Sequence, residues 1–207
     1  LWDLPTRKRL RRLRGEEADK GIPSLAFFPD GASLACTHPG IQVWETATGK
    51  KLKQWRSPFL PERGMRALAI SPDGKHLAVS KYSGEEVAIV DSATGKRLFA
   101  VPSGKDASIS FSPNGKSLAA VGVNGLLQIH DAKTGKLFKE WRAWRDGSPP
   151  ARDGTLAFSP DGKVLATGDD TGSIALWDTA SGKASRRFHV FPHLGHLAFS
   201  PDGMRVG

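Results

Sequence analysis

Three histidines, His189, His193 and His196, stand within eight residues at spacings of four and three, and imidazoles aligned on one helical face at that spacing could hold zinc. Pro192 and Gly195 interrupt the segment, so it reads as a connector entering a strand and no metal site is expected. Gly-Lys pairs begin at Gly49, Gly95, Gly135 and Gly182, which invites comparison with a phosphate-cradling loop. Such a loop needs a glycine five positions earlier and a Ser or Thr after the lysine. Trp44, Val90, His130 and Trp177 hold the earlier positions, and Lys51, Arg97, Leu137 and Ala184 follow. No GxSxG, HExxH, CxxC or paired-carboxylate pattern occurs, so no catalytic residue and no cofactor is expected.

Charge offers a second chemistry. The net charge is +9, but residues 1–14 carry Arg7, Lys8, Arg9, Arg11, Arg12 and Arg14 against Asp3, leaving +4 for the rest. By repeat register this cluster is a turn and an outermost strand, where charge keeps an edge from pairing, and the nucleic-acid reading gives way to that one. What remains is a set of Trp, Phe and Arg side chains, the types enriched where proteins grip one another. Arg142, Trp144 and Arg145 lie in RAWRDGSPPARDG, and Arg56, Phe59 and Arg63 in RSPFLPERGMR. These six are the predicted partner-binding residues. The alternative is that Trp144 and Phe59 fold back over the edge of the structure that carries them.

The elements that position them follow from a repeat. FPDG at Phe28, SPDG at Ser71, SPNG at Ser112 and SPDG at Ser159 and Ser200 recur at 41 to 47 residues. A period near 40 marks an array of supersecondary units, none of which buries its apolar face alone. Each phrase follows an apolar run (SLAF, ALAI, SISF, TLAF, HLAF) and, in the first four copies, precedes another (SLACT, HLAVS, SLAAV, VLATG). Asp-Gly or Asn-Gly between apolar runs is a strong hairpin signal. A third run ends in VWE, IVD, IHD or LWD, a TGK-like turn follows, and a fourth strand such as KLKQW or LFKEW closes the unit. Four short strands and two tight turns per unit predict a four-stranded antiparallel meander.

The order apolar-SPDG, apolar, LWD, TGK, apolar resembles the WD-repeat β-propeller family across essentially the whole chain, most like the tandem repeats of large bacterial proteins. The WD pair stands at Trp2-Asp3 and Trp177-Asp178, relaxes to Trp44-Glu45, and becomes Val90-Asp91 and His130-Asp131. The resemblance implies an all-β propeller of four complete repeats and two partial ones. The expected pieces are the end of a blade at 1–13, blades at 14–55, 56–101, 102–141 and 142–188, and the start of another at 189–207. Family members hold each blade with a His, Ser/Thr, Asp and Trp tetrad. Here Thr167, Asp170 and Trp177 match, but the histidine is missing and the first full unit opens at Gly15-Glu16, so blades held by apolar burial are expected.

The mid-unit ends predict a fragment of a larger propeller. No stretch approaches the ~18 apolar residues of a membrane span, and the lone Cys36 excludes an intrachain disulfide. Cys36 and His130 both read as core residues. The connectors are longest after Trp141 and Trp55, where 18 and 16 residues precede the next phrase. The family resemblance implies a non-enzymatic scaffold in the cytoplasm that binds a protein or peptide through one face. The alternative is the docking or sensory part of a larger signalling enzyme such as a bacterial protein kinase, with catalysis elsewhere.

Overall fold

In the computed structural model, residues 1–3, 5–11, 13, 24–37, 40–56, 64–144, 154–190 and 195–207 are described. The opening of the first unit at 14–23, and with it Gly15-Glu16, lies outside them. Every element among these residues is a strand. A two-stranded piece, β1 (Trp2–Asp3) and β2 (Lys8–Arg9), precedes four four-stranded units. The first unit holds β3 (Leu25–Phe27), β4 (Ser33–Thr37), β5 (Ile41–Glu45) and β6 (Lys51–Trp55). The second holds β7 (Met65–Ile70), β8 (His76–Lys81), β9 (Glu86–Asp91) and β10 (Arg97–Pro102). The third holds β11 (Ser108–Phe111), β12 (Ser117–Val121), β13 (Leu126–Asp131) and β14 (Leu137–Arg142). The fourth holds β15 (Gly154–Phe158), β16 (Val164–Asp169), β17 (Ser173–Asp178) and β18 (Ala184–His189). Each sheet is an antiparallel meander in chain order, and the first strands of successive sheets stand beside one another. The sheets are thus propeller blades arrayed around their innermost strands. At the far end Phe199 bridges Val206, the start of a further hairpin.

The repeated phrase is a hydrogen-bonded turn. Ser71 Oγ donates to Asp73 Oδ1 at 2.6 Å and accepts from His76 N at 2.9 Å, while Asp73 Oδ1 also accepts from Lys75 N. Gly74 sits at φ +71°, the left-handed region that disfavours side chains. The same bonds recur from Ser112, Ser159 and Ser200; Phe28 cannot make the hydroxyl bond in the first unit. The acid that ends each third strand organises the second turn. Asp91 Oδ1 accepts from Thr94 N and Thr94 Oγ1, Asp131 does the same with Thr134 and Asp178 with Ser181, and Glu45 takes the Thr48 hydroxyl. These are local side-chain to backbone bonds of the kind that favours turns.

Blades join face to face over apolar clusters. Val121, Leu127, Ile129 and Trp144 of the third unit's side pack with Leu156, Leu165, Ala175 and Trp177 of the fourth, and the Trp141 and Trp177 rings lie 5.8 Å apart. Each buried aliphatic side chain contributes roughly 1.5–3 kcal/mol. Leu68, Ile109, Leu156 and Leu197 occupy equivalent first-strand positions and are 7–9% exposed, whereas their first-unit equivalent, Leu25, is 57% exposed. The expectation of apolar cohesion was incomplete in one respect, because a hydroxyl clips every junction between units. Ser24 Oγ accepts from Leu68 N, Ser80 Oγ donates to Ala107 O at 2.6 Å, Ser108 Oγ donates to Gly154 O at 2.5 Å, and Thr155 Oγ1 accepts from Leu197 N.

Candidate partner-binding face

The connectors between blades share one face with the turns between second and third strands, and backbone bonds tie the two together. Tyr82 N donates to Gly64 O, Ser103 N to Glu85 O, Val123 N to Lys105 O, Ala143 N to Gly125 O and Val190 N to Gly172 O. Ser83 N reaches Asp106 Oδ1 at 2.6 Å. Gly104 and Gly122 approach so closely that a methyl on Gly122 would stand 2.6 Å from the Gly104 carbonyl carbon. The bases of these connectors are therefore fixed by the blades, leaving their residue content to vary.

Of the six predicted binding residues, Phe59, Arg63 and Arg145 lie outside the described residues, as does His193. Arg56 is exposed just beyond β6, with its stem against Gly40. Arg142 is exposed at the end of β14, two units away, and its Nη1 donates to Asn124 O at 3.3 Å. Trp144 takes the inward of its two expected placements. It is 9% exposed, wedged among Val121, Gly125 and Gly154, and its Nε1 is buried without a hydrogen-bond partner among the described residues. The ring anchors the connector onto the blade edge; it is not a projecting contact.

The titratable groups divide by location. Hydroxyl hydrogen bonds, from Ser71, Ser159 and Ser200, hold Asp73, Asp161 and Asp202 below the usual carboxylate range. Thr94, Thr134 and Ser181 do the same for Asp91, Asp131 and Asp178. These acids are committed to turns, as their spacing suggested. His130 is fully buried with Nδ1 3.2 Å from Gly135 O, and burial pushes its pKa down. Burial pushes the Cys36 thiol up, opposed by its hydrogen bond with Trp44. In the fourth unit Trp177 Nε1 donates to Thr167 Oγ1 at 2.9 Å, which is half of the tetrad that family members use. No group of three His, Cys, Asp or Glu that could hold a metal occurs among the described residues.

Sequence reasoning missed a cleft of about 330 Å³ between the fourth blade and the connector residues Ala143 and Trp144. Trp144, Ala175 and Phe188 supply its apolar wall, and Arg187, Ser173 and His189 its polar groups. The Arg187 guanidinium lies 4.8 Å from the Trp177 ring centroid and donates to Ala143 O at 3.1 Å. Asp169 also lines the cleft, but its Oδ1 accepts from Thr171 N, Thr171 Oγ1 and Ser173 N. A signal existed in the sequence: among the four complete units, the fourth unit's outer strand, ASRRFH, is the one with two adjacent arginines.

Comparison with known proteins agrees with this architecture. Residues 154–178, from β15 to the end of β17, match the family model "WD domain, G-beta repeat". The chain is 32% identical over 143 residues to the WD repeat-containing protein SL1-17 of Schistosoma mansoni, covering 66% of this chain and 44% of that protein. It is also 32% identical over 119 residues to the meiotic recombination protein rec14 of Schizosaccharomyces pombe, covering 54% and 37%. The chain thus spans less than half the length of these curated relatives. Among solved structures, Kuenenia stuttgartiensis hydrazine synthase superposes with a TM-score of 0.76 over 95% of this chain and 58% of that one. At 21% identity that is a likeness of fold alone. No helix among the described residues is long and apolar enough to cross a membrane. With five registers of the repeat, the Trp177–Thr167 bond and these relatives in agreement, the chain belongs to the WD-repeat family.

Proposed function

We propose that the chain is a non-enzymatic scaffold that recruits a protein partner through its connector face. WD repeats generally mediate protein–protein interaction, and the present residues suit that role. The observation that carries the reading is how the repeated polar groups are used. The phrase serines and aspartates close turns, and Ser24, Ser80, Ser108 and Thr155 clip neighbouring blades. Variation is left to the connectors, where exposed Arg56 and Arg142 stand on backbone that the blades already hold. A guanidinium on an ordered base loses little freedom when it binds.

The test is cross-linking with mass spectrometry on the chain and whatever partner co-purifies with it. Cross-links are expected at 56–64 and 142–154, and the double change Arg56→Glu, Arg142→Glu should abolish them while leaving the melting curve in place. Cross-links spread equally over the opposite face, on the turns around Asp73 and Asp161, would refute the assignment.

A further inference from the structure

The turn before the outermost strand carries a glycine in every complete unit. Gly49, Gly95, Gly135 and Gly182 stand at φ +72° to +75°, in the left-handed region. In the opening two-stranded piece, DLPTRK aligns with DSATGK of the second unit, and Arg7 takes the glycine's place at φ +53°. A bulky side chain is strained there, so the sequence holds a cation at this tip against the backbone's preference. Charge on β2 is explained by its exposed edge; a strained arginine in the turn is not. The neighbouring cations are also unlike those of the other outer strands. Arg97 occupies the register of Arg9 and is locked to Glu86 by two hydrogen bonds of 3.0 Å. Lys53 lies 5.6 Å from the Trp55 ring centroid, and Lys139 donates to Thr179 O and Ala180 O. Arg7, Lys8 and Arg9 are exposed, and neither their side chains nor that of half-buried Arg11 have a hydrogen-bond or ion-pair partner among the described residues. Asp3 is held by Thr6, which donates its N–H at 3.0 Å and its hydroxyl. The Arg11 stem packs against Gly49, which fixes the strip beside the first blade.

We infer that Arg7, Lys8, Arg9 and Arg11 form a binding strip for the phosphate backbone of a nucleic acid, held without regard to base sequence. The strip lies with the turns opposite the connectors, so this activity is independent of the scaffold reading. Three of the four cations are arginines, whose planar fork takes two phosphate oxygens at once. Successive strand residues point to opposite sides, so Lys8 and Arg9 flank an edge and do not tile one face. A phosphate chain can follow an edge, whereas a flat layer of lipid headgroups meets one side of it. An acidic peptide needs apolar anchors besides charge, and Leu10 is the one apolar side chain between Arg7 and Arg11. A polyphosphate binds by releasing its counterions, which charge alone achieves.

The experiment measures fluorescence anisotropy of a labelled duplex DNA of arbitrary sequence against the full 207-residue chain as salt is raised. Four phosphate contacts give a log–log slope of roughly −3.6, so affinity should fall about a hundredfold between about 50 and 200 mM salt. Arg7→Gly restores the residue that the complete units carry. It should weaken binding and shrink the slope by about one, while the melting midpoint holds or rises. Arg9→Gln should shrink the slope likewise, whereas Arg97→Gln, at the same register but locked to Glu86, should leave it unchanged. Equal losses from Arg9→Gln and Arg97→Gln overturn the proposal, since net charge alone would then account for binding. A wild-type chain that does not bind the duplex, or a slope that Arg7→Gly leaves intact, overturns it too. So does binding as tight to phosphatidylserine vesicles or to polyglutamate at matched charge, because a lipid surface or an acidic protein would then be the occupant.

Discussion

Thr167→Val tests whether the Trp177–Thr167 bond holds the fourth blade. Valine has the same shape as threonine, so the change removes one hydroxyl from a site that is 0% exposed and opens no cavity. The lost acceptor leaves Trp177 Nε1, on a side chain 4% exposed, facing an apolar methyl. An unsatisfied buried donor costs roughly 1–3 kcal/mol. About 2 kcal/mol in a chain of this length corresponds to a melting temperature lowered by roughly 4–8 °C.

The assay is urea unfolding followed by tryptophan fluorescence, on Thr167→Val, Trp177→Phe and the double variant. Trp177→Phe alone loses ring area against Trp141 and the Arg187 contact at 4.8 Å, and it strands the hydroxyl. In the double variant neither partner remains to be stranded, so its cost should fall short of the two single costs combined by about 1 kcal/mol. The second unit supplies the reciprocal control. Val79 and Val90 occupy the positions of Thr167 and Trp177, and Val79→Thr there buries a hydroxyl with no indole to bond. It should also destabilise by about 1–3 kcal/mol. A Thr167→Val cost below about 0.5 kcal/mol, or strict additivity in the double variant, would refute the reasoning.

Acid should loosen the joint around His130 before it affects the turns. Burial holds the folded pKa of His130 below its unfolded value of about 6.5, so its stability contribution is complete above that pH and is lost as pH falls from there toward the folded value. The turn aspartates are shifted down from near 3.9, so their contribution is lost only below the carboxylate range; unfolding midpoints for wild type and His130→Phe should diverge between those windows, and parallel curves would contradict the account. Gly122→Ala should cost about 1–3 kcal/mol by forcing its connector away from Gly104, whereas Gly195→Ala, which meets no neighbour, should be near neutral; thermal melts compare them. Ser80→Ala leaves the Ala107 carbonyl without its clip and should lower the midpoint by an amount equivalent to about 1–2 kcal/mol, with faster amide exchange localised to β7 and β11.

Turns and register were legible because their chemistry is local: a glycine at φ +71° and an aspartate two residues from its backbone donors leave a fixed mark in the sequence. Trp144 was ambiguous for a physical reason, since an indole in a connector serves equally as an anchor or a contact until the blade edge is known. Gly125 and Gly154 supply the space that draws it inward. The hydroxyl clips were hidden because the position moves. Ser24, Ser108 and Thr155 make theirs from the first strand or its entry, but the second unit has Ala67 there, and the duty passes to Ser80, its partner across the ladder. The cleft was hidden more deeply. It is lined by something small, Ala175, opposite an arginine twelve residues further along the chain, and no local pattern encodes an opening between a blade and its connector.

Departures from the repeat show how the architecture absorbs change. Some are compensated within the fold. Ala67 is matched by Ser80, and the apolar pair Val79 and Val90 replaces the bonded pair Thr167 and Trp177 with no polar group left over. Such exchanges keep the joint intact and need no partner to explain them. The exchange of Gln128 and Glu140 for Ala175 and Arg187 is absorbed in the same way. It removes a side-chain hydrogen bond, leaves a cleft of about 330 Å³ and puts a cation on its wall. The first and third units carry glutamine at this position, and the second has Ala88 facing Ala100, so the ladder accepts either residue there. Arg187 in turn stacks 4.8 Å from the Trp177 ring centroid and donates to Ala143 O, so the new cation is held by the blade and its connector.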